Sequence, residues 1–288
     1  MKKTFVIAAA VLVSTVVALA EAPEWKMVPE ILARIVPPKF PAREFDITKF
    51  GAVGDGKTDC TAAIAKAIAA CVKKGGGCVV VPAGDFLTGP IHLLSNVDLH
   101  LAATNSVLKF STDPKKYLPA VLTRFEGMEC YNYSPLIYAF GQKNVAVTGQ
   151  GTLDGQAEES NWLAWKGQKN LTNGTQKIAR KRLDDMNNNG VPVSQRVFGE
   201  GDFLRPPFVE FNLCRNVLIE GVKVRRSPKT RWLTGTPSLF ILSRRARAAF
   251  CVPSPVVLPP FHFSPVVSSA WPSSVPCPVT ATFFCPNA

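Results

Sequence analysis

From residue 91 onwards, apolar and polar positions alternate in short runs. Val97, Leu99 and Leu101 alternate with Asp98 and His100, so the apolar side chains share one face of an extended chain. Turn-forming residues separate this run from others of the same kind. Two of the others are Leu108 and Phe110 around Lys109, and Val145 and Val147 around Ala146. The pattern predicts an all-β unit built from many short strands.

One helix is predicted ahead of these strands. Its four apolar residues lie at positions i, i+4, i+7 and i+8, which gives one stripe about three to four turns long. They are Ile64, Ile68, Cys71 and Val72. Asp59 or Thr61 suits the helix N-cap, and the glycines at 75–77 suit its end. Residues 78–82 then form a short, fully apolar strand.

An Asn-Val pair precedes three of the predicted strands. The asparagines are Asn96, Asn144 and Asn216. The two intervals between them stand in the ratio two to three, which predicts a repeated coil of about 24 residues in a parallel β-helix. Asparagine tolerates the left-handed conformation of a coil corner, and its amide can stack on that of the next coil.

The chain is long enough for one large domain, and its start has the features of a secretory signal. Its 288 residues begin with Lys2 and Lys3, an apolar run and small residues before Glu21. We expect a signal peptide at 1–20, a Pro-rich linker or strap at 21–43, and a secreted or periplasmic protein. The apolar run is too short for a membrane span, so no membrane partner is expected.

The eight cysteines match no zinc-binding spacing. We therefore assign no metal ligand and no cofactor from the sequence. An exported protein can form disulfides. Cys71 and Cys78 flank the glycine stop, and they either form a disulfide or stay as free thiols.

The formal net charge is +12, and all 21 acidic residues lie at or before Glu220. A basic surface attracts acidic polymers. Nucleic acid is not indicated as a partner, because no stripe of Lys and Arg interleaved with aromatic residues is found. Nothing in the sequence sets the oligomeric state.

Residues 51–58 match the phosphate-loop pattern GxxxxGK[ST] between a strand and a helix. This match supports a nucleotide-binding protein as one alternative. Asp55 argues against it, because a carboxylate then lies where phosphates need bare backbone N–H groups. No apolar strand that ends in a magnesium-binding Asp is evident further along.

Several stretches between residues 44 and 228 resemble polygalacturonases of glycoside hydrolase family 28. They are residues 50–59, 81–84, 87–89, 149–155, 204–212, 215–222 and 225–228. The resemblance implies a right-handed parallel β-helix with a capping N-terminal helix, and an insertion at 156–203 that borders a substrate groove. It also implies a secreted glycosidase that acts on a pectic polysaccharide, polygalacturonate. Such an enzyme hydrolyses α-1,4-galacturonan with inversion, using two carboxyl groups and no cofactor.

The resemblance suggests few site residues in this part of the chain. Arg205 is predicted to bind a galacturonate carboxylate as a planar fork, with packing against the insertion as the alternative. Asp154 either contacts substrate or, as we favour, is a turn residue held by Gly155. The adjacent acidic pairs 158–159 and 184–185 are interpreted as solvated loop residues, the second pair on a short helix around 177–186.

The resemblance stops at Pro228. The last sixty residues, 229–288, contain ten Pro, eight Ser, one Gly and no Asp or Glu. Only residues 239–242 suit a strand, and the composition is typical of a shifted reading frame. We expect an unstructured tail that follows a C-terminally truncated β-helix.

The family's catalytic motifs, Asn-x-Asp, Asp-Asp, Gly-His and Arg-x-Lys, are missing after Pro228. We therefore assign no catalytic residue and expect this chain to be inactive. A non-catalytic β-helix module that binds acidic polysaccharide is the alternative from another class of protein. A pectin lyase on the same fold would need calcium or a basic catalyst, and the sequence shows no acidic metal cluster.

Overall fold

The structure is a computed structural model that describes residues 29–30, 33, 36–167, 175–229, 233–235 and 240–242. The chain divides into two units, Met1–Val36 and Pro37–Ala288, and the β-strands belong to the second. The predicted signal at 1–20 and most of the predicted linker and tail lie outside the described residues.

Three parallel sheets form the faces of a solenoid. Sheet A has the order β1-β3-β6-β11-β14-β17, sheet B β2-β4-β7-β12-β15, and sheet C β5-β10-β13-β16. The strands, numbered along the chain, are β1 Glu44–Asp46, β2 Asp55–Asp59, β3 Gly77–Val81, β4 Gly84–Thr88, β5 Ile91–His92, β6 Val97–Leu101, β7 Ser106–Phe110, β8 Val121–Phe125, β9 Met128–Asn132, β10 Ile137–Phe140, β11 Lys143–Gly149, β12 Thr152–Asp154, β13 Val209–Asn212, β14 Arg215–Glu220, β15 Lys223–Arg225, β16 Leu233–Gly235 and β17 Phe240–Leu242. A full coil passes once through each sheet, which confirms the predicted right-handed parallel β-helix.

The core lies inside the coils and is built from apolar residues in register. Leu99 of β6 pairs with Val79 of β3 on one side and with Val147 of β11 on the other, and Val147 pairs with Ile219 of β14. All four side chains are buried. Burial of one such side chain contributes about 1.5–3 kcal/mol, so each coil stabilises its neighbours through this column.

The predicted division of the Asn-Val intervals into coils of about 24 residues is wrong. Val97 pairs directly with Val145, and Val145 pairs directly with Val217, so each interval between the asparagines is a single long coil. The first of these coils includes the antiparallel hairpin β8–β9, and the second includes the insertion at 156–203. Shorter coils also occur, since Val79 pairs with Leu99 and Val217 pairs with Phe240, and the second is close to the predicted length. The simple ratio of the two intervals arises from insertion lengths and not from a repeat.

The predicted asparagine corners are confirmed. Asn96, Asn144 and Asn216 all have a positive φ, between 52° and 64°. The Asn144 amide donates to Asn96 Oδ1 over 2.9 Å, and the Asn216 amide donates to Asn144 Oδ1 over 2.8 Å. The three side chains thus form a ladder that joins successive coils.

Gly149 lies at a second corner, where neighbouring coils approach closely. Its φ is +114°, and a Cβ there would lie 2.1 Å from the carbonyl oxygen of Leu101. Gly149 also ends β11, which pairs with β6 up to Leu101. A larger residue at this position would clash with Leu101 and would also be strained by the positive φ, so glycine is required.

The predicted helix is present as α1, Thr61–Lys73, and it buries the apolar stripe. Its N-cap is Cys60, which caps through no side-chain hydrogen bond, so the prediction of Asp59 or Thr61 is wrong. Asp59 instead accepts hydrogen bonds from the N–H and the hydroxyl of Thr61. The role of α1 as a cap over the first coil stays a prediction.

The five cysteines of the described residues are free thiols, including Cys71 and Cys78. The disulfide alternative for this pair is therefore wrong, and the free-thiol alternative holds. Cys71 is buried in the face of α1, and Cys78 is half-buried on β3.

A small second core covers one side of the solenoid. The insertion contains the predicted helix as α2, Gln176–Asn188, and this helix packs on β9. The core joins apolar side chains of the hairpin, of α2 and of the chain that follows. Its buried members are Phe125, Cys130, Ala179, Leu183, Phe198 and Leu204.

Two strands continue the sheets beyond Pro228. β16 pairs with β13, and β17 pairs with β14, both in parallel. The predicted strand at 239–242 is present as β17, whereas β16 was not predicted.

Candidate functional site

Sheet C carries a row of polar side chains on the face opposite the core. His92 of β5, Tyr138 of β10 and Glu210 of β13 are direct neighbours in the parallel register. The His92 and Tyr138 rings meet edge to face at 5.3 Å between centroids. The Tyr138 hydroxyl donates to the carbonyl oxygen of Leu122 in the hairpin. Tyr138 therefore lies under the β8–β9 hairpin, whereas His92 is exposed.

Glu210 is a buried carboxylate that joins sheet C to this hairpin. The Thr123 hydroxyl and the Arg124 backbone N–H both donate to its oxygens, the second over 3.0 Å. Its side chain has no exposure to solvent. Sequence reasoning missed this role, although a single acid inside the apolar run 208–211 was a usable signal. The contacts give Glu210 a positioning function and leave it no open path to a ligand.

Arg205 is buried between the insertion and the last described coil. Its Nε donates to Gln176 Oε1 and its Nη1 donates to the carbonyl oxygen of Pro228, both over 2.7 Å. Burial lowers the pKa of this guanidinium. Gln176 begins α2, so these contacts are those of the packing alternative. A substrate-binding role for Arg205 stays a prediction.

Lys229 adds a second buried cation beside Glu210. Its Nζ lies 3.6 Å from the centroid of the Phe125 ring and has no hydrogen-bond partner among the described residues. Burial lowers the pKa of Lys229 to about 8, although the charges of Glu126 and Glu210 favour the protonated form. The fold therefore contains a lysine that is costly to keep charged.

We expect Lys229→Met to stabilise the protein by about 1–3 kcal/mol at pH 7, because it removes a buried charge while keeping an unbranched side chain. In the wild type, the folded state binds the proton of Lys229 more weakly than the unfolded state, whose pKa is near 10.5. Stability should thus rise from pH 8 towards pH 10.5, and the variant should lack this rise.

Urea unfolding at several pH values measures the effect of Lys229→Met. Lys181→Met, at a side chain that is 75% exposed on α2, is the control and should leave the pH profile unchanged. If the stability of Lys229→Met depends on pH in the same way as that of the wild type, Lys229 carries no buried charge.

Asp154 lies at the end of β12 and is fully buried. Arg225 and Arg226 donate hydrogen bonds to its carboxylate at distances of 2.9 Å or less. The backbone N–H of Gln156 donates a further hydrogen bond at 3.0 Å. Burial alone would raise the pKa of Asp154, but the hydrogen bonds from Arg226 and Gln156 and the two positive charges hold it below its usual value. The structure places Asp154 in an ion-pair centre between coils, with two arginines that the sequence did not indicate, and a hold by Gly155 stays a prediction.

The two acidic pairs of the insertion form surface ion pairs. Glu158 meets Arg226 at 3.0 Å, and Asp185 meets Lys181 at 2.7 Å one helical turn away. Asp184 lies 3.9 Å from Arg180. These side chains are largely exposed and lie on different elements, so they do not form a facing pair of catalytic carboxyl groups.

The phosphate-loop match folds as scaffold. Asp55 Oδ1 accepts the backbone N–H groups of Lys57 and Thr58 over 2.8 and 2.7 Å. These hydrogen bonds lower the pKa of Asp55 to about 2. The carboxylate thus takes the amide donors that a phosphate would use.

An open cavity of about 190 Å³ lies where the insertion meets the coils. Its apolar wall contains Trp165, whose ring contacts Tyr133 at 5.3 Å and Phe203 at 5.4 Å between centroids. Lys115 and Glu200 lie at its rim, 3.5 Å apart. The cavity is therefore small, with an aromatic wall and a rim of charged residues that also includes Asp202.

Comparisons with known proteins agree with this fold. The family model "Rhamnogalacturonase A/epimerase, pectate lyase-like" matches residues 45–122. A crystal structure of a hyperthermoactive exopolygalacturonase from Thermotoga maritima is 47% identical, with a TM-score of 0.69, over 75% of this chain and 50% of that one.

Curated plant proteins match as well. An exopolygalacturonase of Zea mays is 34% identical over 119 residues, which is 40% of this chain and 26% of that protein. A polygalacturonase of Cryptomeria japonica is 27% identical over 200 residues, 66% of this chain and 30% of that protein. The chain thus spans a quarter to a half of the length of these relatives.

The fold and these matches define the chain as a right-handed parallel β-helix protein, and residues 45–122 are similar to pectate lyase-like domains. Over the matched part of its length, it resembles pectin-degrading β-helix proteins of the polygalacturonase type.

Proposed function

We propose that this chain is a secreted protein of the polygalacturonase type that binds α-1,4-galacturonan without hydrolysing it. The observation that carries the proposal is the cavity beside Trp165 on a scaffold that is 47% identical to an exopolygalacturonase. An aromatic ring offers an apolar face to a sugar ring, and Lys115, whose ion pair with Glu200 is exposed, can exchange this partner for a uronate carboxylate.

The acidic residues support the lack of hydrolysis. Inverting hydrolysis needs two carboxyl groups about 6.5–9.5 Å apart on either side of the bond. Glu210 is buried under the hairpin, and Asp154 is neutralised by two arginines. The sequence has no acidic residue after Glu220 to supply another.

The charge balance and the N-terminus support the partner and the location. The net charge of +12 favours an acidic polysaccharide, and the apolar start with its two lysines suits export. None of the helices in the described residues is long and apolar enough to cross a bilayer.

Trp165→Ala is expected to weaken binding of polygalacturonate about 3- to 10-fold, because it removes the aromatic wall of the cavity. Affinity electrophoresis in gels that contain polygalacturonate, compared with gels that contain a neutral polymer, measures the change. Phe140→Ala, which removes a 38% exposed aromatic ring elsewhere, is the matched control and should migrate like the wild type.

Equal migration of the two variants would contradict a binding site at Trp165. Retardation of the wild type by both polymers would contradict recognition of a uronate. A thermal melt of each variant separates lost binding from lost folding.

A further inference from the structure

Three side chains with metal-binding atoms meet on the face of sheet A that points away from the core. Cys78 lies on β3, and Asp98 and His100 lie on the adjacent β6, where Asp98 is the direct partner of Cys78. One ligand atom from each residue lies within 4.8 Å of the other two. All three residues are half-buried, so a small ion can reach them and is partly shielded from water.

Thr148 of the next strand, β11, orients two of these groups. Its Oγ1 lies 2.9 Å from both carboxylate oxygens of Asp98 and 2.7 Å from Nδ1 of His100. A hydroxyl has one hydrogen, which the acceptor-only carboxylate takes, so Thr148 accepts from the Nδ1–H of His100. This tautomer leaves Nε2 of His100 with its lone pair, the form in which imidazole binds a metal.

The same residue types would suit a nucleophilic thiol, but the neighbouring charge does not. Asp98 is the direct register partner of Cys78, whereas a nucleophilic cysteine needs a positively charged neighbour. The negative charge of Asp98 instead attracts a cation to the space between the three groups.

We propose that Cys78, Asp98 and His100 form a zinc site on the outer face of sheet A. A sulfur, a nitrogen and an oxygen ligand match the preferences of Zn²⁺ and exclude Ca²⁺ and Mg²⁺, which take oxygen ligands. Ligand atoms around a tetrahedral zinc ion lie about 3.5 Å apart, so side-chain rotation must draw the three atoms together by about 1 Å. The fourth position is left for water or an external ligand, and Thr148 is the positioning residue.

The test is zinc binding by the full chain, measured by equilibrium dialysis and metal analysis. We expect one zinc ion per chain in the wild type. Cys78→Ser and His100→Gln should each weaken binding at least about tenfold, and Thr148→Val about tenfold through the lost orientation. His92→Gln, at an exposed histidine on sheet C, is the matched control and should bind as the wild type does.

Substitution of Co²⁺ gives a second readout, independent of affinity. A cobalt ion bound to a thiolate has a sulfur-to-metal charge-transfer absorption, which we expect in the wild type and in His92→Gln but not in Cys78→Ser. Zinc binding that is equal in the wild type and in Cys78→Ser, or a cobalt complex without this absorption, would overturn the proposal. Neither readout depends on pectin binding.

Discussion

Replacement of Gly149 by alanine is expected to lower the free energy of unfolding by about 3–4 kcal/mol. A positive φ costs an L-residue about 1–2 kcal/mol, and overpacking adds about 1–3 kcal/mol. The Cβ would lie 2.1 Å from the carbonyl oxygen of Leu101. Leu101 pairs with β3 on one side and β11 on the other, so its backbone cannot shift without breaking a sheet ladder.

Gly127→Ala is the control that separates the two contributions. Gly127 lies in the β8–β9 turn with a φ of +96°, and a Cβ there would meet nothing within 4 Å. We expect a loss of only about 1–2 kcal/mol, from conformation alone. Urea unfolding measures both variants. Equal losses of unfolding free energy in the two variants would show that the close approach of the coils adds no cost to a side chain at Gly149.

The second large effect is expected for Asp154→Asn, which should cost about 2–3 kcal/mol at pH 7. The change removes charge-assisted hydrogen bonds, each worth more than a neutral one, and leaves two arginines without their shared partner. Arg225 and Arg226 are 49% and 38% exposed, so water moderates the loss.

The effect of Asp154 also depends on pH. Its folded-state pKa is lowered, whereas the unfolded value is about 3.9. The stabilisation is therefore fully present above pH 4 and is lost as the pH falls through the folded pKa. The Asn variant should show a weaker loss of stability in acid than the wild type.

Asp185→Asn is the matched control for this prediction, because it breaks a surface ion pair with Lys181. We expect a change below about 0.5 kcal/mol. A similar loss of stability in the two variants would contradict a stabilising ion-pair centre at Asp154. A stability of Asp154→Asn that falls in acid as steeply as that of the wild type would also contradict it.

The sequence predicted the parts of the fold that depend on local pattern. Alternation around Asp98 and His100 identified β6, and the apolar stripe identified α1. The Asn-Val pairs identified the corners, because a left-handed conformation and a stacked amide are properties of the residue itself. The family resemblance then supplied the handedness and the order of the coils.

The coil lengths could not be predicted, because they depend on insertions that contribute nothing to the sheets. The simple ratio of the Asn-Val spacings suggested a repeat, whereas the register shows two single coils. The predicted N-cap of α1, Asp59 or Thr61, differs by one residue from the observed N-cap, Cys60. Asp59 accepts the N–H of Thr61, the first residue of α1, from one position ahead of the N-cap residue Cys60.

The site residues were missed because they are neighbours only through register. Thr123 and Glu210 are far apart in the chain and meet because the hairpin folds over sheet C. Cys78 and Asp98 meet because β3 and β6 are adjacent, at a spacing that no linear metal motif includes. Arg226 likewise reaches Asp154 from the far side of the insertion. Sequence reasoning finds such pairs only when the register is already known.

The measurement that tests the central claim most directly is a calorimetric titration of the full chain with an α-1,4-galacturonate oligomer, followed by an assay of reducing ends in the same sample. The account predicts saturable binding of the acidic oligomer, no binding of a neutral oligomer of equal length, and no reducing ends above the blank. Newly formed reducing ends would contradict the proposed absence of hydrolysis. A titration without binding would contradict the proposed function itself.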